Sequence, residues 1–478
     1  MPTLSRYEKI GIPSAFIIFP DQQECWKEAA RVCGLPAARY VCESRTIPGH
    51  IDVERVIPEL MDTLTRPLTP EEQARGVYTP PPNERILFEG TLEEAQDFYE
   101  QTEIIPSLQN APFAKYTDGL PVRVPTEERV AEMLKGTSHR PDEIIRFQET
   151  HRVGDRSVQM GNSGEKGEPV VYLPLKRTAT VEKIATLAVM AGCTPDMFPV
   201  VLAMAESGGG CGDGRGSGAY CVSGPIAREI GMNFDVNLFG PGNPANKALG
   251  RVSELMWRNL GGEIPSVNNC GVFGTGLSNV FPENADALPP GWEGLNEECD
   301  FKKDESALVK IGMSLTGMTG ASWMPGQYRE FQKSGHSGIA RRLGVKGIPG
   351  PHNFLDYIRG FWVDGEGGFT FIMLPELANH LYEYGFKSKE AVYEYLYERS
   401  TMPLSEYRLH SVPDVWTNAW RGIEPTSGKH WLELPDDYII HACPEPWANN
   451  IIVTGAGEEQ LQWLRGSSRD AYSIDAWR

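Results

Sequence analysis

The chain predicts an α/β fold in which a small parallel unit precedes a larger mixed, helix-rich α/β domain. Short apolar runs of strand length alternate with amphipathic stretches near the N-terminus, the middle is dominated by helical periodicity, and an apolar strand, NIIVTGAG, returns near the end. With 478 residues, 40% of them hydrophobic and 23% charged, the composition is that of a globular protein with a sizeable core.

In the first unit, SAFIIF (14–19) reads as a strand and QQECWKEAARVCG (22–34) as a helix stopped by Gly34. YVCES supplies a second strand and HIDVERVIPELMDTL a second helix, so two strands are visible where a parallel unit needs more. TRPLTPEEQARGVYTPPP (65–82) is a Pro-rich arm, and TLEEAQDFYEQTEI (91–104) a helix. Thr126 caps a further helix that runs to Gly136. The expected organisation is a partial α/β unit over 1–66, the arm and helix over 67–117, a core domain over 118–320 and a C-terminal α/β extension over 321–478.

Acidic residues outnumber basic ones 64 to 45, a formal charge of −19, which argues against a nucleic-acid surface because phosphate binding needs clustered Lys and Arg. An anionic substrate would need a locally positive pocket. No stretch reaches about 18 apolar residues, and no secretory signal pattern opens the chain, so a cytoplasmic location and no membrane contact are expected. The nine cysteines are scattered singly, as reduced thiols are. No zinc-type spacing occurs, and no metal is expected, although Cys211 and Cys221 could share one with a distant His. No cofactor is indicated.

The chemistry is sought in four places. TVEKIATLAVMAGC (180–193) is a helix ending near Gly192, after which Thr194 and Pro195 open another. Cys193 therefore sits just before a helix N-terminus, where the dipole favours a thiolate; Asp196 opposes that shift but could orient or accept a proton. A small residue packed in the corner explains Cys193 equally well. The loop 206–221 holds seven glycines in sixteen residues around Cys211 and ends at Cys221, so backbone could approach a ligand closely there.

In FDVNLFGPGNPANKALG, Asn243 caps a helix opened by Pro244, and the turn through Gly240 and Gly242, with Asn243 and Asn246, outlines an anion or oxyanion site. Arg251 is its candidate cation, although Lys247, Arg251, Glu254 and Arg258 also read as a solvated helix face. His336 and His352 lie in Gly- or Pro-rich loops that suit a general acid or base, as they suit ordinary loop histidines.

DGLPVRVPTEERVAEML, TVEKIATLAVMAGCTPDMFPVVLAMAE, SGPIAREIGMN and NLFGPGNPANKALGRVSELMWRNLGG, with PELANHLYEYGFKSKEAVYEYLYERS more weakly, resemble the UGSC family, named for a selenocysteine (or cysteine)-Gly-Ser-Cys motif, and its associated larger domain. EKIGIPSAFIIFPDQQECWKEAARVCGLP resembles the second half of the UGSC domain itself. No Cys-Gly-Ser-Cys occurs in the chain. The resemblance implies thiol or selenol attack on a small organic substrate, as in the selenocysteine-bearing subunit of the glycine reductase type, and a short partner subunit carrying the missing half domain.

The function expected is a thiol-dependent lyase or hydrolase acting on a small polar or anionic organic substrate, as the large subunit of a hetero-oligomer. Its thiol is Cys193 or one on a partner chain, with Asp196 and His336 as acid–base groups. The alternatives are a redox protein cycling Cys211 with Cys221, a reductase subunit, and a non-catalytic binding subunit.

Overall fold

The computed structural model describes residues 7–8, 10–43, 52–80, 84–105, 111–148, 150–152, 164–209, 211, 218–265, 267–268, 278–313, 340–342, 344–350, 352–358, 369–399, 401–410, 424, 426–441, 446, 449–455, 461–465 and 469–478. Strands β1 (Phe16–Ile18) and β2 (Tyr40–Cys42) pair in parallel, Ile17 opposite Val41, as the alternating pattern predicts. Helix α1 (Gln23–Val32) crosses between them and buries Trp26, Ala30 and Val32. Helix α2 (Val53–Thr65) follows, its Asp52 side chain accepting from the Arg55 N–H.

The arm leads to α3 (Leu92–Tyr99) and to the antiparallel pair β3 (Thr102–Ile104) and β4 (Pro112–Ala114). Thr126 caps α4 (Glu127–Met133), and a 3-10 turn continues it to Gly136. Beyond β5 (Thr150–Arg152) lie α5 (Val181–Ala191), α6 (Phe198–Glu206), β6 (Gly218–Ser223), α7 (Pro244–Met256), β7 (Asn279–Pro282) and β8 (Ala307–Met313). Then come β9 (Phe369–Met373), α8 (Pro375–Glu383), α9 (Lys389–Arg399), β10 (Thr401–Pro403), α10 (Leu404–His410), β11 (Ile439–His441), β12 (Asn450–Val453), β13 (Leu461–Arg465) and β14 (Asp470–Ser473).

Two sheets dominate, ordered β5-β14-β8-β6-β7 and β12-β9-β13, each mixing parallel and antiparallel pairs. Alternation along the strands assigns their faces. Tyr220, Val222, Leu308 and Tyr472 point from the first sheet into a core shared with α5, α6 and α7. Ala219, Cys221, Ala307, Val309 and Ile311 point the other way and meet Ile372 and Ile452 of the second sheet. Phe371, Met373, Ile451 and Val453 turn from there to α8 and α9. The result is four layers: helices, sheet, sheet, helices.

The boundary expected at residue 320 does not divide this arrangement, because β14 lies between β5 and β8 in the first sheet. Strand pairing is not bound to chain order, so a segment that begins 157 residues after the end of β8 can fill a place beside it. Among the described residues no helix is long and apolar enough to cross a membrane.

One ion network ties the layers together. Lys389, at the start of α9, lies 3.0 Å from Glu283 and 3.2 Å from Glu298, and all three side chains are almost fully buried. Ser223 at the end of β6 donates to Glu283 at 2.7 Å, and the Tyr393 hydroxyl donates to Glu298 at 3.0 Å. Burial alone would drive the ammonium to lose its proton; the two carboxylates more than reverse this and hold it well above the usual lysine range. Replacing Lys389 by Met leaves buried Glu283 without its cation, while Glu298 keeps Arg469 at 3.8 Å. Urea denaturation of Lys389→Met should show a loss of about 3–5 kcal/mol, largely recovered in the Lys389→Met/Glu283→Gln protein. A single variant as stable as the parent would refute the assignment.

Candidate functional site

Helix α5 ends as its sequence requires, with Gly192 at φ 88° and the Cys193 N–H donating to Ala188 O at 3.0 Å. Cys193 itself is 0% exposed and belongs to the helix-side core. Its thiol is pushed up to about 12, first by burial and then by the Asp196 carboxylate. The activated thiolate expected there is therefore overturned: desolvation opposes the charged form and the dipole does not compensate. The Thr194 side chain makes no cap bond, and a 3-10 turn, Pro195–Met197, separates it from α6. Asp196 bears on Cys193 but lies on a surface cleft of about 340 Å³ shared with Lys135, Glu229 and Arg478.

The turn through Gly240 and Gly242 is exposed, but its asparagines are engaged in its own construction. Asn243 makes no cap bond to α7; its amide donates to Asn237 O at 2.6 Å, and its Oδ1 accepts from Asn233 Nδ2 at 3.0 Å. Asn246 accepts from the Asn233 N–H at 3.0 Å and donates to Asn233 O at 3.3 Å. Both side chains expected to face an anion are instead stitches of the 233–243 loop. Arg251 is corrected likewise: it forms a two-pronged pair with Asp118 at 2.7 and 2.8 Å and donates to Pro121 O at 2.7 Å.

Cys211 is the predicted residue that the fold surrounds with polar groups. Its Sγ donates to Met256 O at 3.3 Å, at the point where α7 widens into a π-turn over Trp257–Gly261. A Cβ at Gly261 would lie 3.3 Å from that sulfur and 2.6 Å from Leu173 O; a Cβ at Gly262 would lie 3.1 Å from Arg177 Nη1. The thiol and the Arg177 guanidinium thus flank consecutive glycines. On the sheet side, Lys310 Nζ donates to Ser207 O at 3.1 Å and Gly209 O at 3.4 Å, and the Tyr220 hydroxyl also donates to Gly209 O. Asp470 stands directly opposite Lys310 on β14, on the same face.

Burial pushes the Cys211 thiol up strongly and the Glu263 carboxylate pushes it further, while the Gly261 backbone, Lys310 and Arg177 pull it back. The residue keeps partial exposure although its sulfur is desolvated. Burial thus favours the neutral thiol, and the two cations act against that burial.

Cys221 is fully buried in the core between the sheets, whereas Cys211 packs against the helix-side core. A sheet separates them, which removes the redox pair weighed as an alternative and the metal that the two could have shared. His336 lies outside the described residues. His352 is exposed, its ring 6.2 Å from that of Tyr384. Among the described residues no group of three or more His, Cys, Asp or Glu is placed to hold a metal ion. No family model, curated protein or solved structure matches the chain.

Sequence reasoning missed Lys310, Arg177 and Glu263. A lone lysine inside the apolar strand ALVKIGM was the available signal for Lys310; Arg177 and Glu263 carry none, since only folding brings 177, 211, 263 and 310 together.

Thiol burial has a measurable signature. A group whose folded pKa is raised stabilises the fold fully below its unfolded value and loses that contribution as pH rises toward the folded value. With Cys193 and Cys299 both pushed from 9.0 to about 12, part of the stability should vanish between pH 9 and 12. Cys193→Ala should flatten that loss in urea titrations, and native iodoacetamide labelling should reach half-exposed Cys42 well before Cys193. Labelling of Cys193 as fast as Cys42 would contradict its burial.

Proposed function

We propose that the chain is a thiol-dependent enzyme of lyase type, acting on a small anionic organic substrate with Cys211 as its proton donor. The observation that carries this reading is the desolvated Cys211 thiol against Gly261 at the widened end of α7, with Arg177 against the adjacent Gly262 and Lys310 on the chain that leads into Cys211. A carbanion formed as the substrate breaks would take the thiol proton, and the two cations would stabilise the resulting thiolate. Hydrolase chemistry would instead need Glu263 to take the thiol proton before attack, and a covalent intermediate would follow. The resemblance to the UGSC family, with its thiol or selenol chemistry, points in the same direction.

The short partner subunit belongs to the same proposal. It is supported by the apolar stripe Val53, Ile57 and Met61 along α2, which stays exposed together with Phe16. A reducing compartment such as the cytoplasm suits a reaction that depends on a free thiol.

Untargeted metabolite turnover by the purified protein, alone and with a candidate partner, tests the reading. Cys211→Ala and Lys310→Met should each lower turnover by about 100-fold or more while the folded circular dichroism spectrum is kept, and Cys193→Ala should leave turnover unchanged. Intact mass spectrometry during turnover should show no substrate adduct for the lyase and an adduct for the hydrolase. Full activity in Cys211→Ala would end the proposal.

A further inference from the structure

Residues 172–177 form a hairpin that touches both the candidate site and the N-terminal unit. It is closed by Tyr172 N–H donating to Arg177 O at 2.8 Å and Arg177 N–H donating to Tyr172 O at 3.1 Å. The hairpin lies against the π-turn that ends α7. Leu175 N–H donates to Gly261 O at 3.2 Å, and Arg177 Nη1 donates to Asn259 O at 3.1 Å. The packing is so close that a Cβ on Gly261 would sit 2.6 Å from Leu173 O, and one on Gly262 would sit 2.3 Å from Leu175 Cδ1. The Gly261 position is also 3.3 Å from the Cys211 sulfur, so hairpin and thiol pack against the same glycine.

Lys176 carries the hairpin's contact with the N-terminal unit. Its Nζ donates at 2.9 Å to Val32 O, in the last turn of α1, where unpaired carbonyls and the helix dipole favour a cation. Lys176 also holds φ at 50°, a left-handed conformation that a residue with a side chain rarely adopts. Glycine would adopt it without strain, so a lysine there is explained by what its side chain reaches. The arm fastens the same end of α1: Gly76 N–H donates to Gly34 O at 3.1 Å, and a Cβ on Gly34 would meet Gly76 O at 2.6 Å.

We infer that Lys176 is a positioning residue that couples the N-terminal unit to Cys211, holding the 172–177 hairpin against the π-turn so that the thiol stays desolvated. With α1 in place, Leu173 and Leu175 close over the glycine pair beside the sulfur. With α1 displaced, the hairpin loses its outer anchor and water reaches the thiol. Hydration favours the thiolate, so the placement of the N-terminal unit sets the protonation and the reactivity of Cys211. This is a regulation of the proposed site and rests on the reading of Cys211 for its catalytic consequence, while the coupling rests on the contacts alone.

Iodoacetamide labelling of the full chain at one fixed alkaline pH, read by mass spectrometry, tests it. Lys176→Met should speed labelling of Cys211 by about fivefold or more while Cys193 stays slow, whereas Lys176→Arg, which keeps a donor of similar reach, should stay near the parent rate. Trp26→Leu loosens α1 within its own unit, where the Trp26 and Phe16 ring centres are 4.7 Å apart. On its own it should speed both Cys42 and Cys211; combined with Lys176→Met it should speed Cys42 and add nothing at Cys211, because the link is already cut. Equal Cys211 rates in the parent and Lys176→Met, a rise shared equally by Cys193, or a Trp26→Leu effect on Cys211 that survives Lys176→Met in full would each refute the coupling. Full turnover in Cys211→Ala with the coupling intact would refute only the catalytic reading of the thiol.

Discussion

A helix with no exposed face has no water at its end. All nine residues of α6 are buried, so the carbonyls of its last turn and of the chain leaving it must be met inside the protein: the Ser207, Gly209 and Gly208 N–H groups turn back to Ala203, Met204 and Ala205 O, and other elements meet the rest. Tyr172 donates to Ala205 O at 3.0 Å, Lys310 reaches Ser207 O and Gly209 O, and Tyr220 adds a second bond to Gly209 O. The Glu206 carboxylate is met by the Gln148 N–H and by Trp477 Nε1, both at 2.7 Å. Each such group left unmet would cost about 1–3 kcal/mol, so several residues from distant parts of the chain are recruited to one spot.

That recruitment is what makes chemistry available there. The carbonyls just past α6 are met by a long cation from the interior of β8, and a lysine is tolerated there because it lands beside a helix C-terminus, where positive charge is favoured. Once Lys310 is present, the chain leaving α6 carries Cys211 past it. Gly209 is required because a Cβ would meet Met256 Sδ at 2.6 Å, and Gly261 because one would strike Leu173 O. The close approach of loop, π-turn and strand depends on these absent side chains, and it brings the thiol under the influence of Glu263 and Arg177.

Local signals were legible where local forces decide. Gly192 stops α5, Thr126 caps its helix, and β1 and β2 pair in parallel because sequence-near hydrogen bonding and periodicity set each of these. Cys193 failed on magnitude. A helix terminus stabilises a charge by about 0.3–1 kcal/mol, whereas burying an ion costs several kcal/mol even after relaxation, and a sequence shows the terminus but not the depth. Arg251 and Asn243 failed because their acceptors, the Asp118 carboxylate and Asn237 O, are placed by folding and take up the donors that appeared free. The glycine-rich loop was recognised as a place of close approach, yet nothing local ranked Cys211 above Cys193, since its neighbours at 177, 263 and 310 are set by the packing of three separate elements.

Net charge and local charge act over different ranges. Exposed carboxylates repel an approaching anion only within a Debye length of about 8–10 Å in physiological salt, so the overall −19 is felt weakly beyond the surface. Lys310 is buried behind that surface, so salt screens it far less. An extended polyanion would lie along the acidic surface, whereas an anion small enough to leave that surface would feel the buried charge more than the exposed carboxylates.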